Sequence, residues 1–101
     1  MFSSRLQNEQ ADNLARAFLT LESVEDCYRL FEDLFTIREI QDLSQRLEVA
    51  QLLKSQVTYT EIVEKTGVST ATIGRVNRAL NYGAGGYQQV LERMRERDAK
   101  E

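Results

Sequence analysis

Residues 58–80 read TYTEIVEKTGVSTATIGRVNRAL, and they predict two helices joined by a tight turn. Gly67 stands where the first helix must end in a left-handed residue, a conformation that glycine adopts without a Cβ penalty. Ser69 is a good N-cap for the second helix, because its hydroxyl accepts a hydrogen bond from an amide one turn later. Thr58 and Glu61 form a capping box that starts the first helix. The stretch therefore predicts a helix-turn-helix over residues 58–82.

The second helix of this motif has a buried side and an outward side. Ile73, Val76 and Leu80 recur at spacings of three and four residues, which is typical of a buried stripe. The outward side combines small polar groups, a glycine and two guanidiniums: Thr70, Thr72, Gly74, Arg75 and Arg78. Such a surface suits a helix that lies in the major groove of DNA. An ordinary antiparallel helix pair is the alternative, because the first helix usually carries alanine where Val63 stands.

Length and composition bound the fold class. A chain of 101 residues makes one domain, residues 1–101, with a modest core, and 42% hydrophobic residues are ordinary for a globular protein. Proline is absent and apolar residues recur at helical spacing, so an all-α chain is expected. No apolar run is long enough to span a bilayer, and no secretory h-region opens the chain. The single cysteine, Cys27, cannot form an intramolecular disulfide, which fits the cytoplasm.

Charge is distributed unevenly along the chain. Residues 1–53 hold five basic and ten acidic side chains, whereas residues 54–82 hold four basic and two acidic ones, and residues 83–101 hold four of each. The only positive segment contains the helix-turn-helix, which favours an acidic body with a DNA-facing end. Two net positive charges are few where phosphate neutralisation supplies much of the affinity. The sequence therefore indicates that two copies act together.

Four further helices are expected outside the motif. The first begins at about Glu9, Ser23 caps the second, and Thr36 with Glu39 forms a capping box for a third helix over 37–55. The second helix carries a wide apolar stripe, composed of Val24, Cys27, Tyr28, Leu30, Phe31, Leu34 and Phe35. This stripe is too wide for one partner helix, so it is either sandwiched or covered by another chain. A last helix is expected over 87–97.

Catalysis is not indicated. The chain has no histidine to act as a base and no Cys-His, Ser-His or metal-ligand cluster. The glycine-rich stretch 83–86 lacks a following Lys-Ser/Thr and a preceding strand, so it predicts a helix stop rather than a nucleotide loop. We therefore expect no enzyme, no catalytic residue and no metal site.

Residues 31–87 resemble the Trp repressor family, and most closely its small YerC/YecD-type regulators. The likeness is carried by Phe35-Thr36, by 43–46 (LSQR), by 58–62 and above all by 66–83 (TGVSTATIGRVNRALNYG). The resemblance implies a six-helix Trp repressor-like fold in an intertwined homodimer, with 9–57 as dimerisation helices. It also implies a bacterial DNA-binding regulator of transcription, a repressor, whose palindromic operator presents half-sites in successive major grooves.

The resemblance also implies roles for single residues in DNA binding. Thr70, Ala71 and Gly74 would face base edges, while Tyr59, Thr60 and Arg78 would lie near phosphates. Ser69, Thr72 and Arg75 complete the expected DNA-binding surface. Because the base-facing side chains are small, water-mediated contacts and DNA shape should carry much of the specificity, as in the Trp repressor itself.

An effector pocket is implied as well. In the founding member, two arginines flank a bound tryptophan, and a glycine follows the arginine on the reading helix. Arg75 matches that arginine, Arg46 approximately matches the other, and Thr36 matches a threonine at the pocket border. The glycine is replaced by Val76, whose branched side chain should project into the space of the indole. Tryptophan is therefore expected to be a poor ligand, and a smaller effector or none is left open.

Two hypotheses on function follow. The first is a dimeric repressor that occludes a promoter. The second is a helical protein-interaction module in which the motif serves as scaffold without binding DNA. The weak basic bias and Val63 favour the second, whereas the motif itself favours the first.

Overall fold

The computed structural model describes residues 2–100, which form six α-helices and no strand. Their bounds are α1 (Glu9–Phe18), α2 (Val24–Leu34), α3 (Ile37–Lys54), α4 (Tyr59–Thr66), α5 (Thr70–Tyr82) and α6 (Gly86–Lys100). This confirms the prediction of an all-α chain with six helices. Within residues 2–100, no helix combines the length and the apolar character needed to cross a membrane.

The helix ends follow the predicted capping residues. The Thr58 hydroxyl accepts a hydrogen bond from the Glu61 amide at 3.2 Å, and Ser23 caps α2 in the same way. Gly67 has φ 72°, and its amide donates to the Val63 carbonyl at 2.8 Å. These caps satisfy amides and carbonyls that have no partner within their helices, so the start of α2 and both ends of α4 are set by local sequence.

Packing divides the chain into two units, Met1–Ile37 and Arg38–Glu101. The first unit contains α1 and α2, and neither helix has a single buried residue. Its aromatic rings meet edge to face, with centroids 6.4 Å apart for Phe18–Phe35 and 6.0 Å apart for Phe31–Phe35. The wide apolar stripe of α2 is therefore not buried within this chain.

The second unit contains the core. Its buried residues come from α3, α4, α5, α6 and the turn before α5: Val49, Ala50, Ile62, Val68, Ile73, Val76, Leu80 and Leu91. α5 packs against both α4 and α6. Because Ile62 and Ile73 are 0% exposed, the helix-turn-helix is fixed to the scaffold by its most apolar side chains.

The last helix is longer than the sequence indicated. α6 begins one residue before and ends three residues after the predicted span 87–97. Its charged tail contains an ion pair between Glu92 and Arg95 at 2.7 Å. Pairs of opposite charge one turn apart stabilise a solvated helix, so alternating charge extends α6 instead of ending it.

The junction between α3 and α4 contains a strained residue that the sequence did not reveal. Gln56 has φ 64°, the only positive φ among the non-glycine residues described. Its amide donates to the Leu53 carbonyl, and the Val57 amide donates to the Leu52 carbonyl, both at 3.0 Å. This is the Schellman pattern, in which glycine usually supplies the left-handed residue. Gln56 therefore holds a backbone conformation that disfavours a side chain.

Replacing Gln56 by glycine should stabilise the fold. We expect Gln56→Gly to raise the free energy of unfolding by about 1 kcal/mol, because glycine avoids the Cβ clash of the left-handed region. Urea denaturation followed by circular dichroism, at one protein concentration, measures the change. Gly67→Ala is the matched control and should shift stability in the opposite direction. A Gln56→Gly variant no more stable than the wild type would contradict the strain at this junction.

Candidate nucleic-acid interface

The turn between α4 and α5 is fixed by two side-chain hydroxyls. The Thr66 hydroxyl donates to the Ile62 carbonyl at 2.7 Å and accepts from the Val68 amide at 3.1 Å. The Ser69 hydroxyl accepts from the Thr72 amide at 3.2 Å and thereby caps α5. With Val68 buried beneath the turn, these bonds determine where α5 starts and how its first turn is oriented.

α5 presents three sides. Its buried side consists of Ile73, Val76 and Leu80, as the spacing predicted. Its outward side is exposed or half-buried and contains Thr70, Ala71, Gly74 and Arg78. Its third side contains Thr72, Arg75 and Ala79, which line a cleft together with the N-cap Ser69. The structure thus separates the predicted DNA-binding residues of α5 into an outward group and a cleft group.

Gly74 leaves the middle of the outward side without a projecting side chain. A Cβ built on Gly74 would meet no atom within 4 Å. Glycine in a helix interior costs about 1 kcal/mol relative to alanine, and no neighbour in the described chain requires it here. Its backbone does not require glycine either, since Gly74 lies within α5 and is not among the residues with positive φ. The missing side chain therefore leaves room for a molecule to approach α5 closely from outside.

Tyr59 and Thr60, predicted to lie near phosphates, are the first two residues of α4. Both are exposed, Tyr59 to 39%. The amides of a first helical turn and the positive end of the helix dipole favour anions at this position. The two side chains are thus accessible to a charged ligand at the start of the motif.

A cleft of about 550 Å³ lies beside the third side of α5. Its lining residues are Asp42, Gln45, Arg46, Val68, Ser69, Thr72, Arg75, Val76, Ala79 and Tyr87. Arg46 and Arg75, two of the three residues expected at an effector pocket, therefore share one cleft. The third, Thr36, directly precedes α3 and belongs to the first unit, so its role stays a prediction.

The cleft is rich in hydrogen-bond donors. Arg75 Nη2 donates to Thr72 Oγ1 at 3.4 Å, and Arg46 Nε donates to the Asp42 carbonyl at 3.4 Å. The Asp42 carboxylate, the only acidic group in the lining, lies 3.5 Å from Arg38 Nε. Two guanidiniums thus share the cleft with a single carboxylate, which is already paired with Arg38. A cleft with this balance of charge suits a ligand that carries an anionic group.

Five lining residues were not identified as site residues from the sequence: Asp42, Gln45, Val68, Ala79 and Tyr87. Asp42 lies one turn before Arg46 on α3, so helical spacing from Arg46 would have indicated it. Gln45 directly precedes Arg46, and spacing from Arg46 does not indicate it. Tyr87 comes from α6, and only the packing of α6 on α5 brings it to the cleft. No local pattern in the sequence signals that contact.

Known proteins resemble this chain over most of its length. A family model described as Trp repressor protein matches residues 9–95. The uncharacterised protein YerC of Bacillus subtilis is 48% identical over 96 residues, covering 95% of this chain and 92% of the relative. A Trp operon repressor homologue of Chlamydia trachomatis serovar L2 is 34% identical over 83 residues, covering 77% and 88%. The crystal structure of a TrpR-like protein from Eubacterium eligens is 51% identical, with a TM-score of 0.84, and covers 89% of this chain and 93% of that one.

The free protein should gain stability when Gly74 acquires a side chain. We expect Gly74→Ala to raise the free energy of unfolding by about 1 kcal/mol, because alanine favours the helix and its methyl group has open space. Thermal denaturation without added ligand measures this. Gly83→Ala is the control, since its Cβ would overlap the Ala79 carbonyl and should destabilise the protein. Loss of stability in Gly74→Ala would show that the glycine serves the fold itself.

Proposed function

Because the chain belongs to the Trp repressor family, we propose that it is a homodimeric repressor that inserts α5 into the major groove of a palindromic operator. The main support for this proposal is the outward side of α5. Its residues Thr70, Ala71 and Gly74 have small side chains, so the surface of this capped helix is accessible. Base edges can approach such a surface closely. Family membership itself supports a DNA-binding regulator of transcription and not an enzyme.

Recognition by this surface would depend on few direct hydrogen bonds. Among the three residues proposed to face base edges, only Thr70 has a polar side chain, so DNA shape and bridging waters would contribute much of the specificity. Tyr59, Thr60 and Arg78 would contact phosphates around this surface and fix its register on the duplex. Ser69, Thr72 and Arg75 would add to DNA binding from the cleft side of α5.

We propose that regulation acts through the cleft, with Arg46 and Arg75 as the effector-binding residues. The role of Thr36 at the pocket border rests on the family resemblance alone. Val76 supports the proposal that tryptophan is a poor ligand, since its branched side chain forms part of the wall beside Arg75. The two guanidiniums would favour a smaller effector with an anionic group. DNA binding without any effector is the other arrangement compatible with this cleft.

The exposed apolar side chains of the first unit are the basis for proposing a dimer. Neither α1 nor α2 buries a residue, and Leu14, Val24, Tyr28 and Leu34 are between 45% and 73% exposed. A set of exposed apolar side chains this large is typical of a protein–protein interface. A second copy of this chain, intertwined through residues 9–57, would cover them and bring two helix-turn-helix motifs to one operator. A bacterial cytoplasmic location accords with the unpaired Cys27.

DNA binding is tested with the purified protein and random-sequence duplexes. Selection should enrich one palindromic site, and Arg78→Ala should then weaken binding to selected and scrambled duplexes alike. If each subunit loses one phosphate contact, the slope of log affinity against log salt should fall by about 2 per dimer. Arg93→Ala, which removes an arginine of α6 that is also exposed, is the control and should change neither quantity. Adding tryptophan should leave the affinity unchanged.

Absence of DNA binding would refute the proposal. If no duplex is retained at low salt, and Arg78→Ala behaves as the wild type, the repressor proposal fails. The helical protein-interaction module would then be the better description of the motif. Binding that requires tryptophan would instead retain the repressor and refute the role given to Val76.

The dimer is tested by sedimentation velocity. The wild type should sediment as a dimer, and Leu14→Asp should shift it toward the monomer, because the charge would have to be buried in the interface. Asn13→Asp places the same charge on the neighbouring, polar position of α1 and should leave the dimer intact. A wild type that is monomeric across the micromolar range would contradict the proposal.

A further inference from the structure

The side chain of Gln88 joins three helices. It lies near the start of α6 and is half-buried. Its Nε2 donates to the carbonyl of Leu80 on α5 at 3.0 Å, and its Oε1 accepts from Lys54 Nζ at the end of α3. We call this connection, Lys54–Gln88–Leu80, the Gln88 bridge. Both polar groups of one amide are occupied, each by a different helix.

Chemistry admits only one orientation of this amide. A lysine ammonium can only donate a hydrogen bond, and a backbone carbonyl can only accept one. If the amide were rotated by 180°, its NH₂ group would face the ammonium of Lys54 and its oxygen would face the Leu80 carbonyl. The Gln88 bridge is therefore directional, and no shorter or apolar side chain reproduces it.

The Leu80 carbonyl needs an external partner. Leu80 lies in the last turn of α5, where carbonyls lack an amide four residues later in the helix. The Gly83 amide satisfies the preceding carbonyl, that of Ala79, at 3.0 Å. Leu80 itself is only 6% exposed, so access of water to its backbone is restricted. Gln88 thus donates a hydrogen bond to a carbonyl that has no donor within its own helix and little access to water.

The two helices of the motif end differently. The C-cap of α4 is the left-handed Gly67, whose own amide closes the helix. The C-cap of α5, Gly83, has φ −86° and ψ −153°, so it is not left-handed and forms no Schellman turn. The end of α5 is instead held by a side chain from α6 that is also bonded to α3. The direction of α5 therefore depends on tertiary polar contacts as well as on its buried stripe.

We propose that Gln88 is a positioning residue for DNA recognition, because the Gln88 bridge fixes the direction of α5 relative to α3. This inference rests on the proposed function, in which α5 is the reading helix. Apolar packing holds α5 on the core, and the hydrogen bond from Gln88 to the Leu80 carbonyl adds a directional contact at its end, because such a bond weakens steeply when it is misaligned. The hydrogen bond from Lys54 ties the same side chain to α3. Contacts to base edges require such exact placement, while contacts to phosphates tolerate more variation. Loss of the Gln88 bridge should reduce discrimination between sequences and spare non-specific binding.

Three variants separate the parts of this inference. Gln88→Met keeps the length of the side chain and removes both hydrogen bonds. Gln88→Glu keeps an acceptor for Lys54 but can no longer donate to the Leu80 carbonyl once it is ionised. Gln89→Met is the matched control, because the adjacent Gln89 is exposed on the same helix.

Two measurements are made on each variant. Residual dipolar couplings give the angle and mobility of α5 relative to α3, and the carbonyl ¹³C shift of Leu80 reports its hydrogen bond. Competition binding gives the ratio of affinities for the selected operator and a scrambled duplex. In Gln88→Met and Gln88→Glu, we expect a shifted Leu80 carbonyl, a reoriented or more mobile α5, and a ratio lowered about fivefold or more. Gln89→Met should match the wild type in every respect.

The outcomes are distinguishable. An unchanged Leu80 shift in Gln88→Met, or an α5 unchanged in both direction and mobility, overturns the inference whatever the DNA result. Equal losses of specific and non-specific affinity, together with a loss of stability, would mean that Gln88 only stabilises the fold. If the wild type binds no DNA, the proposed function fails, and the dipolar couplings alone decide whether Gln88 orients α5.

Discussion

Burial of Ile62 and Ile73 in one core is the constraint on which the rest of the second unit depends. Both side chains are 0% exposed, and they share their cluster with Val49 and Ala50 of α3. Full burial of such a side chain contributes roughly 1.5–3 kcal/mol. Because the two residues lie on either side of the turn at Gly67, their burial fixes α4 and α5 to each other and to the scaffold together. The outward side of α5 is the side that this packing leaves exposed to solvent.

The sequence predicted those features of the fold that depend on interactions between residues close together in the chain. The caps at Thr58, Gly67 and Ser69 follow from single side chains that act on adjacent amides, and the buried stripe of α5 follows from spacing alone. Gln56 shows the opposite case. Its left-handed backbone is imposed by the hydrogen bonds of the junction and by the packing of its neighbours, against the preference of the residue itself.

The candidate site was only partly accessible to the same reasoning. Spacing identified which residues of α5 avoid the core, but it could not divide them between the outward side and the cleft. That division depends on where α3 and α6 run, since Arg46 and Tyr87 complete the cleft beside Arg75. The Gln88 bridge was missed for a similar reason, because Lys54 and Gln88 are 34 residues apart in the sequence. Contacts between distant segments need the fold before they can be recognised.

The absence of buried residues from α1 and α2 links the proposed assembly to the amount of protein in the cell. If the apolar stripe is covered only by a second copy, the population of active repressor rises with the square of the free monomer at low abundance. Promoter occupancy would then respond more steeply to gene dosage than it would for a protein that works alone. A freshly synthesised, unpaired chain would meanwhile expose its apolar stripe to proteases and chaperones. Degradation of monomers would then make the response of promoter occupancy to protein abundance steeper still.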